Sequence, residues 1–230
     1  MTDHTASPAA PRWATVLGLA LALLSPFAAA FFPEPKDFAE RMLRGTLLLG
    51  GVTVVVLVIL TVIERQPLAS IGLRRPGWGA LGFGLLGLVG LLIAQPIGAL
   101  LQQAAHGRPS PSVFRDMGNL PLWLLVLLPF RAAITEEILF RGYAMTRVES
   151  LTRSRVLAFL IPGVLFCLAH VPTFGLTYAL AVAPLAVVLG ALFLWKRNLW
   201  ANMIAHAGVD ALALAAAWAF AHGLFKVPGA

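Results

Sequence analysis

Cys167 is the single cysteine in this 230-residue chain, which excludes an intrachain disulfide and a cysteine-built metal cluster. In its apolar surroundings it reads as a small apolar side chain within a helix. Charge is scarce as well. Only 12% of residues are Asp, Glu, Lys or Arg and 59% are hydrophobic, where a soluble domain carries about 25% and about 45–50%. The apolar residues fall in long blocks with the charges pushed to their edges, so a sizeable soluble domain is excluded. The chain also lacks a glycine-rich phosphate loop and a basic stripe interleaved with aromatics. Its net charge of +7 is therefore assigned to loop cations that set topology and meet anionic lipid, and nucleic acid is not expected as a partner. No internal repeat is visible, which argues against the paired-repeat plan of secondary transporters.

What is present is a series of hydrophobic runs. A membrane-spanning helix takes about 20 apolar residues, and the chain divides into an all-α, polytopic transmembrane bundle of about seven spans (six to eight). They are expected at 13–32, 45–63, 78–101, 120–145, 155–170, 176–195 and 199–222, after a disordered tail over residues 1–12. Residues 13–230 thus form one transmembrane domain. Residues 28–30 (AAA) look a little like a signal-peptidase site, but the basic n-region is Arg12 alone and the apolar run is long, so an uncleaved first helix is expected. Span three is rich in glycine, and the small residues from Gly82 to Gly98 suit close helix contact. Pro172 stops or kinks span five.

Loop cations set the orientation. One face collects nine (Arg12, Arg65, Arg74, Arg75, Arg147, Arg153, Arg155, Lys196, Arg197) and the other six (Lys36, Arg41, Arg44, Arg108, Arg115, Lys226). This modest bias places the N-terminus in the cytoplasm, and in a prokaryote the membrane is the inner (plasma) membrane.

Against that apolar background, a few ionisable residues lie inside the spans. An intramembrane charge costs at least about 2.5–3.5 kcal/mol on insertion scales and is a functional candidate by default. Span four holds Arg131, Glu136, Glu137 and Arg141, span five ends at His170, and span seven holds His206 and Asp210. Glu137 and Arg141 are four apart with the acid on the N-terminal side, the favourable order for an ion pair. Glu136 is five residues from Arg141, about 140° around an α-helix, so it points elsewhere and reads as an unpaired carboxylate suited to general-base work. Asn202, His206 and Asp210 recur at intervals of four on one face. A buried pair locking the bundle explains Glu137–Arg141 at least as well as any functional role. Arg131 either snorkels or pairs with another helix, and His106 and His222 read as structural.

Three motifs carry a resemblance. EEILFR (residues 136–141) fits Glu-Glu-x-x-x-Arg, FCLAH (166–170) fits Phe-x-x-x-His, and HAGVD (206–210) fits His-x-x-x-Asn/Asp. In that order and on successive spans, they resemble the CPBP family of CAAX prenyl proteases and bacteriocin-processing enzymes, also called Abi, over residues 120–220. The resemblance implies an intramembrane endopeptidase acting on a membrane-associated peptide or protein substrate, compatible with a monomer. By the same resemblance Glu136 activates water with help from His170. His206 and Asp210 stabilise the oxyanion or complete the site, and Glu137, Arg141, Phe166 and Asn202 support them.

Family members are described both as metalloproteases and as metal-free glutamate enzymes. His170, His206 and Asp210 form an acceptable zinc set, yet His-Glu-x-x-His is absent, and the metal-free mechanism is preferred. Asp210 stands where asparagine is commoner in the motif. It is therefore protonated and orienting His206, or a metal ligand, because an ionised carboxylate cannot donate to an oxyanion. Two readings from other classes stay open: a non-catalytic scaffold or immunity-type protein with the same fold, and a small proton- or ion-coupled transporter.

One mismatch is left for the structure. From the cytoplasmic helix ends, Glu136 and His170 lie about 20–24 Å deep and His206 about 10 Å at 1.5 Å per residue. Either span seven starts inside a buried loop, or helix tilt makes up the difference.

Overall fold

The computed structural model describes residues 11–31, 35, 37–107 and 111–224. They form helices without strands: α1 (Arg12–Leu24), continued by a 3₁₀ segment (Ser25–Phe31); α2 (Phe38–Val58), continued by a π-helical stretch (Ile59–Ile63); α3 (Trp78–Ala104); α4 (Pro111–Gly118); α5 (Leu122–Glu136), continued by a π-helical stretch (Glu137–Met145) and α6 (Thr146–Thr152); α7 (Arg155–Ala169); α8 (Val171–Phe174); α9 (Tyr178–Lys196); and α10 (Leu199–Ala221). Five helical segments have the length and composition to cross a membrane: Phe38–Ile63, Trp78–Ala104, Arg155–Phe174, Tyr178–Lys196 and Leu199–Ala221. The first apolar helix, Arg12–Ala28, is shorter. The helix from Leu122 to Thr152 is long but carries the four charges of span four.

Several boundaries differ from the sequence reading. The charged segment before residue 45 is helix, because Asp37 caps it by accepting from the Ala39 N–H at 3.2 Å. The loop expected at 106–119 contains α4, whose Val113, Phe114 and Met117 face the interior cavity. Most of the expected disordered tail, residues 1–10, lies outside the described residues, and Arg12 already begins α1. As expected, the helix breaks just before Pro172: α7 ends at Ala169 and Pro172 lies in the first turn of α8, where helix N-termini accept proline because that N–H has no intrahelical partner.

The surface is inside-out relative to a soluble protein. Val54, Val58 and Val62 on the second helix and Leu85, Val89 and Ile93 on α3 are exposed, as lipid requires no burial of apolar groups. Thr46, Thr53 and Thr61 return their hydroxyls to carbonyls four residues back at 2.7–2.8 Å, so these three are paired within their own helix. α3 packs against α9 and α10 through Gly84, Gly87 and Gly98, where an added Cβ would sit 2.7, 2.7 and 2.1 Å from the neighbouring helix. Gly82 meets no neighbour, so only part of the glycine stripe is a packing face.

At the end of the bundle away from the cavity lies a buried ionic cluster that the sequence reading left in loops. The Glu64 side chain is 0% exposed. It accepts from Thr15 Oγ1 at 2.9 Å, Tyr143 OH at 2.8 Å and Arg147 Nε at 2.8 Å, tying α1, α2 and the helix of the site together. Arg147 is therefore not a loop cation, and the positive-charge bias between the two faces narrows. Gly18 leaves room for the Tyr143 ring, whose hydroxyl would lie 2.1 Å from an added Cβ. Nearby, Glu149 accepts from Arg197 at 2.5 Å and Arg155 at 3.3 Å. Partial burial pushes its carboxyl up, but the two guanidinium groups outweigh that and hold it below the usual carboxylate range.

α10 begins at Leu199, so span seven does not start earlier than expected. Instead its first turn is sunk into the protein. Leu199 is fully buried, its N–H donates to the Gly72 carbonyl at 3.0 Å, and Trp200 Nε1 donates to the Arg74 carbonyl at 2.6 Å. The segment 68–74 lies over the start of α10, which puts His206 level with Glu136 and Glu137.

Candidate active site

The helix that begins at Leu122 changes from α to π winding at Glu137, directly after Glu136. Such wide turns are frequent at functional sites, and here one begins at the second of two adjacent carboxylates that point in different directions, as neighbours on a helix do. Glu137 turns into the protein and is 0% exposed. It accepts from Arg141 NH1 at 3.0 Å and Asn202 Nδ2 at 3.1 Å, and Oε1 lies 2.8 Å from His206 Nδ1. Asn202 also donates to the Leu189 carbonyl at 2.8 Å, anchoring α10 to α9. The expected Glu137–Arg141 pair is thus the centre of a four-residue buried network, which a buried charge requires.

Glu136 faces a cavity of about 980 Å³. It is not the isolated carboxylate that α-helical geometry suggested. Arg131 NH1 lies 3.6 Å from Oε1 and His206 Nε2 lies 3.9 Å from Oε2. His170, His206, Asp210 and Arg131 line the same cavity, so residues from α5, α7 and α10 meet in one place. Its mouth is formed where the first helix ends, α2 starts, α4 lies, α7 ends and α10 ends, which is one end of the bundle.

Phe166 holds several of these parts. Its ring packs edge-on against Phe140, with centroids 5.2 Å apart, and against His170 at 4.9 Å; the Arg141 guanidinium lies over it at 4.0 Å. Its carbonyl is 2.8 Å from His170 Nδ1. A carbonyl can only accept, so Nδ1 carries the proton there, and Nε2 of the neutral ring is the acceptor.

Asp210 was expected either to orient His206 or to bind a metal. In the structure Glu137 orients His206 from the Nδ1 side, and Asp210 stands on the other edge, with Oδ2 3.5 Å from Nε2 and its side chain 35% exposed. No three His, Cys, Asp or Glu side chains among the described residues gather at a spacing that holds a metal ion. His206 and Asp210 are adjacent, but His170 does not complete a ligand group with them, so no step is derived through zinc.

Residues 118–212 match the model of a family described as type II CAAX prenyl endopeptidase Rce1-like. The matched residues are similar to the Rce1-like family and include the helices that carry the site. The Rce1-like segment takes in all three motifs and every residue of the Glu136–Glu137–His206 cluster, while α1 to α3 lie outside it. Rce1-like proteins are proteases, and the match supports a multi-pass membrane endopeptidase of CAAX type. No curated protein and no solved structure matches the chain.

Two parts of the site were not singled out from sequence. Arg131 was left undecided, and its position five residues before Glu136 gave no α-helical reason to pair them. Tyr178 lines the cavity and packs against His170 and Phe174 at 6.2 and 4.5 Å; nothing in its local sequence distinguishes it from a lipid-facing tyrosine.

Proposed function

We propose that the protein is an intramembrane endopeptidase in which Glu136 is the general base for water attack on a membrane-associated peptide. The observation that carries this reading is the meeting of Glu136, His170, His206 and Asp210 in one cavity from three separate helices. Glu136 takes a proton from water, whose oxygen adds to the scissile carbonyl. The same carboxyl returns the proton to the leaving nitrogen when the C–N bond breaks. His170, with Nδ1 committed to Phe166, presents Nε2 as an acceptor for the same water. His206 is fixed by Glu137 and places Nε2 between Asp210 and Glu136. A lone pair there would face two carboxylates, so a proton is held between Nε2 and Asp210. The test is cleavage of quenched peptides, farnesylated and unprenylated, by the protein in proteoliposomes. A folded but inert protein across that panel would favour the scaffold reading.

Asp210→Asn separates two roles. If Asp210 only shares a proton with His206, the variant keeps its rate within about tenfold, or about 1.4 kcal/mol of barrier, and chelator leaves the wild type unchanged. That is the expected result. A dead variant, with a chelator-sensitive wild type rescued by zinc, would show that Asp210 is a metal ligand.

With the N-terminus in the cytoplasm, the side the loop-cation bias favours, the cavity mouth lies on the opposite face and substrate enters from there. Phe31 lies at that end and is exposed. In a Cys167→Ala background, Phe31→Cys should react with an impermeant maleimide on intact cells. Labelling only after lysis would place the mouth, and the substrate, in the cytoplasm.

A further inference from the structure

The cavity wall is rich in acceptors and short of free donors. Glu136 and Asp210 offer carboxylate oxygens, His206 commits Nδ1 to Glu137 and shares the proton at Nε2 with Asp210, and His170 commits Nδ1 to the Phe166 carbonyl. Peptide hydrolysis develops negative charge on the carbonyl oxygen, and that oxygen needs a donor already in place. Arg131 is built differently from its neighbours. Its side chain is 16% exposed, NH1 stops 3.6 Å short of Glu136, outside hydrogen-bond reach, and Nε is buried with no hydrogen-bond partner among the described residues. A guanidinium carries five donors in a fixed fork, so one that holds Glu136 only loosely has donors to give. The arginines nearer the mouth are engaged: Arg44 pairs with Glu40 at 2.5 Å, and Arg41 has a partner of its own.

We propose that Arg131 is a catalytic residue that donates to the oxyanion of the tetrahedral intermediate. This rests on the peptidase reading above. In the addition step the water oxygen bonds to the carbonyl carbon, the water proton goes to Glu136, and the carbonyl π pair moves onto oxygen. One negative charge thus leaves Glu136 and appears on the substrate oxygen. A guanidinium beside both positions stays paired throughout and need not reorganise. On collapse the C–N pair goes to nitrogen, which takes the proton back from Glu136, and the charge returns to that carboxylate. Other donors on the wall are the hydroxyls of Tyr178 and Thr173, and Tyr178, which packs against His170, is the stronger competitor.

The experiment measures kcat and KM in proteoliposomes for wild type, Arg131→Gln, Arg131→Lys, Tyr178→Phe, Asp210→Asn and the double variant Arg131→Gln/Asp210→Asn. The probe is a quenched peptide ending in farnesylated Cys-aliphatic-aliphatic-X, with thermal unfolding recorded for each protein. Arg131→Gln should lower kcat by about 10²–10³-fold with KM little changed, as for loss of one oxyanion donor. Asp210→Asn supplies an amide N–H beside His206 Nε2, so the double variant should be at least about tenfold faster than Arg131→Gln alone, a non-additivity expected of residues serving one oxygen. If Arg131→Gln does not purify folded, Arg131→Lys and its cycle with Asp210→Asn are read the same way. Strictly additive losses, a fully active Arg131 variant, or the kcat loss falling on Tyr178→Phe instead would each overturn the assignment. A wild type that cleaves nothing removes the peptidase reading and this assignment with it.

Discussion

Glu136→Gln should lower the cleavage rate by about 10²–10⁴-fold, the span attributed to general acid–base catalysis, while the protein unfolds at the wild-type temperature. The amide keeps the shape of the side chain and removes its ability to take a proton. Folding should not suffer, because the contacts of Glu136 to Arg131 and His206 are 3.6 and 3.9 Å and neither is a hydrogen bond. The adjacent carboxylate supplies the control. Glu137 is enclosed by Arg141, Asn202 and His206, so Glu137→Gln should lose stability as well as rate. Rate and unfolding temperature, measured for both variants in one detergent, separate the two carboxylates. A fast Glu136→Gln beside a folded but inactive Glu137→Gln would mean that their roles are exchanged.

Arg141→Ala is expected to cost about 3–5 kcal/mol of stability, the penalty for stranding one partner of a buried pair. Side-chain exposures of 3% for Arg141 and 0% for Glu137 mean that water cannot repair the loss. Activity should fall with stability for a second reason. Arg141 lies over the Phe166 ring, and the Phe166 carbonyl sets His170, so removing the guanidinium loosens a ligand of the reacting water. Arg141→Lys should recover part of the stability but not the stacked, forked geometry. Unfolding in detergent and cleavage rate are the readouts. A well-folded Arg141→Ala protein that is merely slow would show that water reaches Glu137.

The difference between these two neighbouring glutamates shows where local reasoning stops. The Glu137–Arg141 pair follows from i, i+4 spacing on one helix. The isolation of Glu136 was argued from the same geometry and does not hold, because Arg131 approaches it from the preceding turn of α5. Likewise, Asn202, His206 and Asp210 were legible as one face of α10, but their division of labour was not. Asn202 and His206 turn to Glu137 on another helix, and Asp210 is left at the cavity.

By itself the sequence determined the all-helical membrane class and most of the candidate site residues, though not the place of Arg131 or Tyr178. Long apolar runs have one stable solution in lipid, the helix that satisfies its own backbone. Charges within such runs are costly, so Glu136, Glu137, His170, His206 and Asp210 stood out as candidates, and the family resemblance supplied their roles. Tertiary structure decided which carboxylate holds which imidazole, that Glu64 and Arg147 belong to a buried cluster instead of loops, and that α10 begins beneath residues 68–74. These depend on the depth and rotation of each helix against its neighbours. Hydrophobic patterning fixes both only loosely, since every face of a helix in a bilayer meets apolar surroundings, whether lipid or protein.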